Sequence, residues 1–485
     1  MYSFIKHYEQ PNKFNDELIK DIRYKDDMVD YLVDICTAQA NTLEWVTFDK
    51  YEIEEDENKF THKYKVPINS SRLSLVTFYF TIRFKDEVEH VKMPIFIPKL
   101  IDNYYFILNG NRYYAIYQIV DSATYNTRDS VILKSLLMPI ILKSEKKEFE
   151  DVLGNVYTAK TYLLNLFKKK ANFLHYFFAS FGFQETLDYF GYGKAIQVVN
   201  IEGDYEIKDN ELVFQLSKNN YLRVSKKRFE TDEMFKSIVA CLISILSKKV
   251  QLGRRDDINY WKVKLGSCFT TNTNNMETKA DSVLVSFKRI LDDRTRKNLR
   301  IAEEDKEDIF ALIKWMIRNF DSLLRMDNLS LLNKRLRLGE YLVTGFNRRI
   351  STNTYRILNS KTLTMAKLKS AFNIPINVIL NELQTSELMR YSNAVNDMDL
   401  FTAACKYSNR GPSSLGEGSK KTVSSIYRSI HSSHLGRLSL NSCSASDPGM
   451  SGTISPFIRT DGLYFDTSDI GNLDVLDDEE LEDME

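Results

Sequence analysis

Two constellations in this 485-residue chain could do chemistry. His431 and His434 stand three residues apart with Cys443 close behind, a spacing that invites a metal ion. Structural zinc takes four protein ligands and no fourth candidate accompanies these, so no metal is assigned. The second constellation is cationic: Lys406, Arg410, Lys420, Lys421, Arg428 and Arg437 share a Gly/Ser-rich stretch with one acid, Glu417. Flexible segments carrying Lys and Arg suit phosphate, because reach and charge count for more there than fixed geometry. A plain solvated loop accounts for the same charges. A further basic group, Lys334, Arg335, Arg337, Arg348 and Arg349, flanks GEYLVTGF. No GxxxxGK[ST], HExxH, GxGxxG or GxSxG occurs, so the chain is not expected to catalyse a reaction alone.

The elements that must position these residues belong to a folded chain. Hydrophobic residues make up 43% and charged residues 27%, the balance of a globular protein, and the length allows two to four domains. No apolar run approaches the roughly 20 residues that span a bilayer, and MYSFIKHYEQPNKF has no signal-peptide core, so an intracellular soluble protein is expected. Cys36, Cys241, Cys268, Cys405 and Cys443 form no CxxC clip, and reduced thiols are the expectation. The net charge of zero hides an asymmetry. Residues 461–485 hold eleven acids and no Lys or Arg; without them 66 basic residues face 55 acidic ones, a body charge of +11. That pattern fits a nucleic-acid partner, and equally an ordinary surface with a solubilising tail.

Apolar spacing predicts helices over residues 17–36, 160–183, 233–252 and 304–326, and VILKSLLMPIILK reads as another helix candidate within 121–143. SLVTFYFTIRF and MPIFIPKL read as strands, and residues 195–229 as short strands with polar turns. In YYFILNGNRYYAIYQ (residues 104–118), Asn-Gly between two aromatic and branched runs predicts a tight hairpin.

Residues 93–118 resemble the N-terminal region of the β subunit of multisubunit RNA polymerases, where a pl-M segment runs into FIING-ER-V-v-Q. Met93, Pro94, Phe106, Ile107, Asn109, Gly110 and Gln118 match; Arg112 and Tyr113 stand where that family has Glu-Arg or Glu-Lys. MDNLSLLNKRLRLGEYL resembles D-hlgNRR-r-vGEl, which leads from the lobe back into the protrusion, through Asp327, Asn333, Lys334, Arg335, Arg337, Gly339 and Glu340. SNAVNDMDLFTAACKYSNRGPSSL resembles the fork stretch MDQ-NPLSE-THKRR-SaLGPGGL through Asn396, Thr402, Lys406, Ser408, Gly411, Pro412 and Leu415. HSSHLGRL resembles the H-shyGRiCPIETPEG that follows, through His431, His434, Gly436 and Arg437. SLNSCSASDPGM replaces CPIETPEGPN, and Cys405-Lys406 replaces a pair of arginines.

The resemblance implies a mixed α/β multidomain fold. A protrusion-like domain would comprise 1–145 and 327–385, with a lobe-like domain, 146–326, inserted. A fork region, 386–460, would face the RNA–DNA hybrid, followed by the acidic tail, 461–485. It implies the N-terminal polypeptide of a β subunit, forming one wall of the DNA cleft. A bacterial β subunit is more than twice as long, and in this the chain is similar to the split β subunits of giant-phage polymerases. By the same resemblance, Lys406, Arg410, Lys420, Lys421, Arg428, His434, Arg437, Arg335 and Arg337 would contact nucleic acid, and residues 416–428 would help separate strands. No catalytic residue and no cofactor fall to this chain; magnesium would sit on a β′-like subunit bearing the NADFDGD-like cluster that is missing here. The implied partners are a C-terminal β-like polypeptide, β′-like polypeptides, template DNA, nascent RNA and a promoter-specificity subunit, in the cytoplasm of an infected cell, with packaging in the virion left open. A stand-alone regulator or a virion protein on a borrowed polymerase fold is the alternative.

Overall fold

LSLVTFYFTIRF forms the strand Leu73–Phe84, central in an antiparallel sheet between Val46–Glu54 and Glu87–Pro98. A central strand covered on both faces needs apolar side chains on both, hence the aromatic and branched run. Phe80 meets Phe372 with ring centroids 4.5 Å apart, and Phe78 meets Phe346 at 6.1 Å. The computed structural model describes residues 28–64, 71–101, 105–167, 169–200, 210–217, 219–247, 250–360, 362–386, 388–392, 397–409, 428–442, 449–455, 460–461 and 463–465.

The chain divides into two units, one of Met1–Ser122 with Asp327–Glu485 and one of Ala123–Met326. In the first unit the predicted hairpin is present: Leu108 pairs with Asn111 around a two-residue turn, with Asn109 at φ 50° and Gly110 at φ 79°. These are the left-handed values that a type I′ turn requires. A side chain at Gly110 would meet nothing within 4 Å, so Gly110→Ala isolates the backbone term. It is expected to cost about 1–2 kcal/mol, read from the shift in denaturation midpoint. This hairpin belongs to a four-stranded sheet ordered Met389–Tyr391, Asn111–Ala115, Tyr105–Leu108, Leu100–Ile101. The first described helix is Met28–Thr42; residues 17–27 of the predicted 17–36 helix lie outside the described residues.

The second unit holds a five-stranded antiparallel sheet ordered Lys169–Asn172, Val156–Leu166, Pro139–Glu150, Ser130–Lys134, Thr124–Asn126. VILKSLLMPIILK is therefore two strands, not a helix. Pro139 opens the second of them, a position where its missing N–H costs the ladder least. The expected break at 145/146 would cut the strand Pro139–Glu150, whose pairing with Val156–Leu166 runs from Ile141 to Glu150. The first division between the two units falls at Ser122/Ala123. The predicted helix over 160–183 is half strand: helix begins at Phe173–Phe181, its first turn capped by the Asn172 side chain accepting from Leu174 N–H, and restarts at Phe183. Ile196–Asn200, Glu211–Ser217 and Asn220–Ser225 are the expected short strands, in a three-stranded sheet. The helix predicted over 233–252 runs Glu233–Leu246, capped by Asp232. That over 304–326 is broken into Ile309–Arg318 and Phe320–Leu324. The aromatic residues of Phe173–Phe181 belong to the core: Phe173, Tyr176, Phe177 and Phe178 are fully buried. No described helix is long and apolar enough to cross a membrane.

Candidate nucleic-acid interface

A six-stranded sheet in the first unit gathers the segments that the sequence singles out. Its order is Ser451–Thr453, Lys406–Ser408, Tyr117–Asp121, Lys334–Arg337, Tyr464–Phe465, Thr460–Asp461. Tyr117–Asp121, the end of the hairpin segment, is central: it runs antiparallel to Lys334–Arg337 and parallel to Lys406–Ser408. Gln118 lies opposite Arg337 on one side and Ser408 on the other.

Arg335 and Arg337 are buried, and Glu340 serves both. Arg335 Nη1 lies 2.7 Å from Glu340 Oε2, and Arg337 Nη1 lies 3.1 Å from Glu340 Oε1. Arg337 Nε also donates to Gln118 Oε1 at 2.5 Å, and Gln118 is wholly buried. Burial pulls the Arg337 guanidinium below its ordinary range, opposed by the Glu340 charge. Burial acts the same way on Arg335, but there Glu340 outweighs it and the net shift is upward. Lys334, also buried, pairs with Asp121 across the sheet. Arg335 and Arg337, expected to contact nucleic acid, have 4% and 2% of their surface exposed, and both guanidiniums pair with Glu340 within this unit. Sequence reasoning found Glu340 as a motif residue but not its double pairing; its spacing of three and five from the arginines was the available signal.

The two histidines are likewise engaged. His431 Nδ1 accepts from Ser433 N–H at 3.2 Å, and His434 Nδ1 accepts from His431 N–H at 3.3 Å, a reciprocal cap on the turn Ser432–His434. His434 Nε2 donates to the Leu329 carbonyl at 3.1 Å, and His431 Nε2 faces Asp327 Oδ2 at 3.2 Å. Ser433 Oγ, buried, accepts from Leu331 N–H at 2.9 Å. HSSH therefore clips residues 327–331 to residues 431–434. His434 is expected to support this clip rather than touch nucleic acid. Among the described residues no group of three or more His, Cys, Asp or Glu could hold a metal ion; Cys443 lies outside them.

Burial lowers the His434 pKa, partly opposed by the Leu329 hydrogen bond, and a second ring proton would confront the His431 N–H. The folded value is thus depressed below the unfolded one. The clip's contribution is complete above the unfolded pKa of about 6.5 and is lost as pH falls through the folded value. Denaturation midpoints of wild type should drop between pH 7.5 and 5 more than those of His434→Gln. Parallel slopes for the two proteins would rule this out.

Of the remaining cations, Lys406 is exposed at the start of its strand, Arg428 is half-buried and Arg437 is buried. Arg428, Asn409, Lys334 and His434 line a cavity of about 90 Å³ beside the sheet. Arg410, Lys420 and Lys421 lie outside the described residues, as do Asn396, Gly411, Pro412, Leu415 and the acidic residues from 466 on. Burial raises the Cys36 thiol and pushes Cys241 up to about 11, which disfavours the reactive thiolate at both.

No protein of curated function matches the sequence. The family described as non-virion RNA polymerase subunit matches residues 3–484, nearly the whole chain. That match covers more than nine-tenths of the sequence, and the chain belongs to the non-virion RNA polymerase subunit family.

Proposed function

We propose that this chain is the N-terminal polypeptide of a split β subunit, contributing one wall of the cleft that holds DNA and the RNA–DNA hybrid. The observation that carries this reading is the six-stranded sheet. The hairpin, the NKRLRLGE segment and the KYS segment each resemble a β-subunit landmark, and they meet through Gln118, Arg337 and Ser408. On this reading the unit of Met1–Ser122 with Asp327–Glu485 carries the protrusion and fork, and Ala123–Met326 the lobe. Lys406 and the fork cations Arg410, Lys420, Lys421 and Arg428 grip phosphates. Arg335, Arg337, His434 and Arg437 act behind them as supports.

Phosphodiester formation uses two metal ions that clamp the attacking and leaving oxygens. A β′-like partner supplies that centre, and this chain positions the nucleic acid beside it. Other polymerase subunits are its partners, and the family description, non-virion, favours work in the infected cell over packaging in the particle.

Affinity capture from infected cells should recover polypeptides bearing the missing β half and an NADFDGD-like cluster, with polymerase activity in the eluate. Recovery of this chain alone and inactive would favour a stand-alone regulator. In the assembled enzyme, Lys406→Ala with Lys420→Ala and Lys421→Ala should shorten elongation-complex lifetime and flatten its dependence on salt. Removing one lysine–phosphate pair lowers the log–log salt slope by about 1.

A further inference from the structure

The second unit contains a cavity of about 440 Å³ that the polymerase reading leaves without a role. Its walls come from the five-stranded sheet and from three helices, Phe173–Phe181, Glu233–Leu246 and Ile258–Ser267. Strand register explains why cations gather there. Lys143 pairs with Leu163, Leu163 with Asn172 and Asn165 with Lys170, so Glu145, Lys147, Leu163 and Lys170 lie on one face of the sheet. Lys264 lines the cavity from the helix Ile258–Ser267, its Nζ 5.4 Å from the centre of the Tyr260 ring. Three lysines thus line one cavity, with Glu145 as the only acid and His175 and Ser244 beside them.

Lys147 Nζ already donates to Ser244 Oγ at 2.8 Å, which holds one cation in place at the wall. At the end of the helix Ile258–Ser267, the Lys264 carbonyl accepts from Ser267 Oγ at 2.7 Å and Cys268 Sγ at 3.7 Å, which blunts the negative helix end near the cavity. Leu163 and Ile245 add apolar wall. The volume lies within the roughly 300–1,000 Å³ of small-molecule sites. Lysines are point-charge phosphate binders, and an apolar wall suits a planar ring.

We propose that this cavity binds a phosphorylated ligand of mononucleotide size, its phosphates on Lys147, Lys170 and Lys264 and its ring system against Leu163 and Ile245. The same chemistry is offered by a free nucleotide and by the 5′-triphosphate end of a strand.

Equilibrium dialysis of the full chain with labelled ATP tests it, with inorganic tripolyphosphate as competitor. One ATP per chain is expected, displaced by tripolyphosphate. Affinity should be weaker by about tenfold or more in Lys147→Gln/Lys170→Gln/Lys264→Gln. Lys226→Gln/Lys227→Gln, at exposed positions of the same unit, should leave it unchanged. Should the triple variant not fold, tripolyphosphate must protect Lys170 and Lys264 of the wild-type chain from acetylation, read by mass spectrometry. Saturable binding of a 5′-triphosphorylated oligonucleotide, but not of ATP or a 5′-hydroxyl oligonucleotide, would support the site and assign it to a strand end. Unsaturable binding, equal loss in the control variant, or no protection of the lysines would overturn the proposal. None of these outcomes bears on the subunit's place in the polymerase, which capture of partners tests separately.

Discussion

Glu340→Ala is expected to destabilise the first unit by about 3–5 kcal/mol, enough to remove much of the stability of an ordinary domain. The magnitude follows from what is left behind. Glu340 is the carboxylate paired with two buried guanidiniums, 2.7 Å and 3.1 Å away, and almost no solvent reaches Arg337 to replace it. Arg337 would keep its bond to Gln118, a neutral acceptor, while Arg335 would lose its carboxylate. Urea denaturation monitored by circular dichroism measures the loss. Glu340→Gln should recover only part of it, because an amide restores an acceptor without the charge. Replacing Arg335, Arg337 and Glu340 together by apolar residues of similar volume should be milder than Glu340→Ala, since the single change strands charge and the triple change removes it. A Glu340→Ala loss below about 1 kcal/mol would show that the arginines find other compensation.

Trp261→Ala should have a comparable effect on the second unit, about 3–5 kcal/mol. Trp261 is fully buried, 4.7 Å from the Phe178 ring and 6.5 Å from Phe183, and its indole Nε1–H donates to the Arg255 carbonyl at 2.6 Å. Alanine leaves both a cavity and an unpaired carbonyl. Trp261→Phe separates the two, keeping most of the packing and losing the hydrogen bond, and should cost nearer 1–2 kcal/mol. If Phe proves as damaging as Ala, the hydrogen bond and not the volume carries the effect.

The parts of the fold that were readable are those governed by local chemistry. Asn-Gly announces left-handed backbone, and Asn109 and Gly110 adopt it. The short strands Ile196–Asn200, Glu211–Ser217 and Asn220–Ser225 are readable for the same reason. VILKSLLMPIILK misleads because a continuous apolar run has no period, and only its neighbours in the sheet decide that it is extended. Over 160–183 the aromatic residues look helical throughout, yet Phe167 turns with φ 52° and Asn172 starts the real helix. An Asn before an aromatic run was the usable signal there. The candidate site divides along the same line. Charge counts revealed which segments are cationic, but whether a cation faces solvent depends on residues far away. Arg337 is buried because Gln118, 219 positions earlier, lies opposite it in the sheet. Lys406, at the first position of its strand, stays exposed.

The six-stranded sheet also fixes when the first unit can finish folding during synthesis. Its central strand, Tyr117–Asp121, leaves the ribosome long before Lys334–Arg337 exists, and Arg335 waits further for Tyr464. The unit Ala123–Met326 is continuous in sequence and can complete its own core as soon as it emerges. The sheet around the two guanidiniums therefore stays incomplete until more than a hundred further residues are made. Completion of the first unit is thus tied to the end of translation, whereas the second unit's is not.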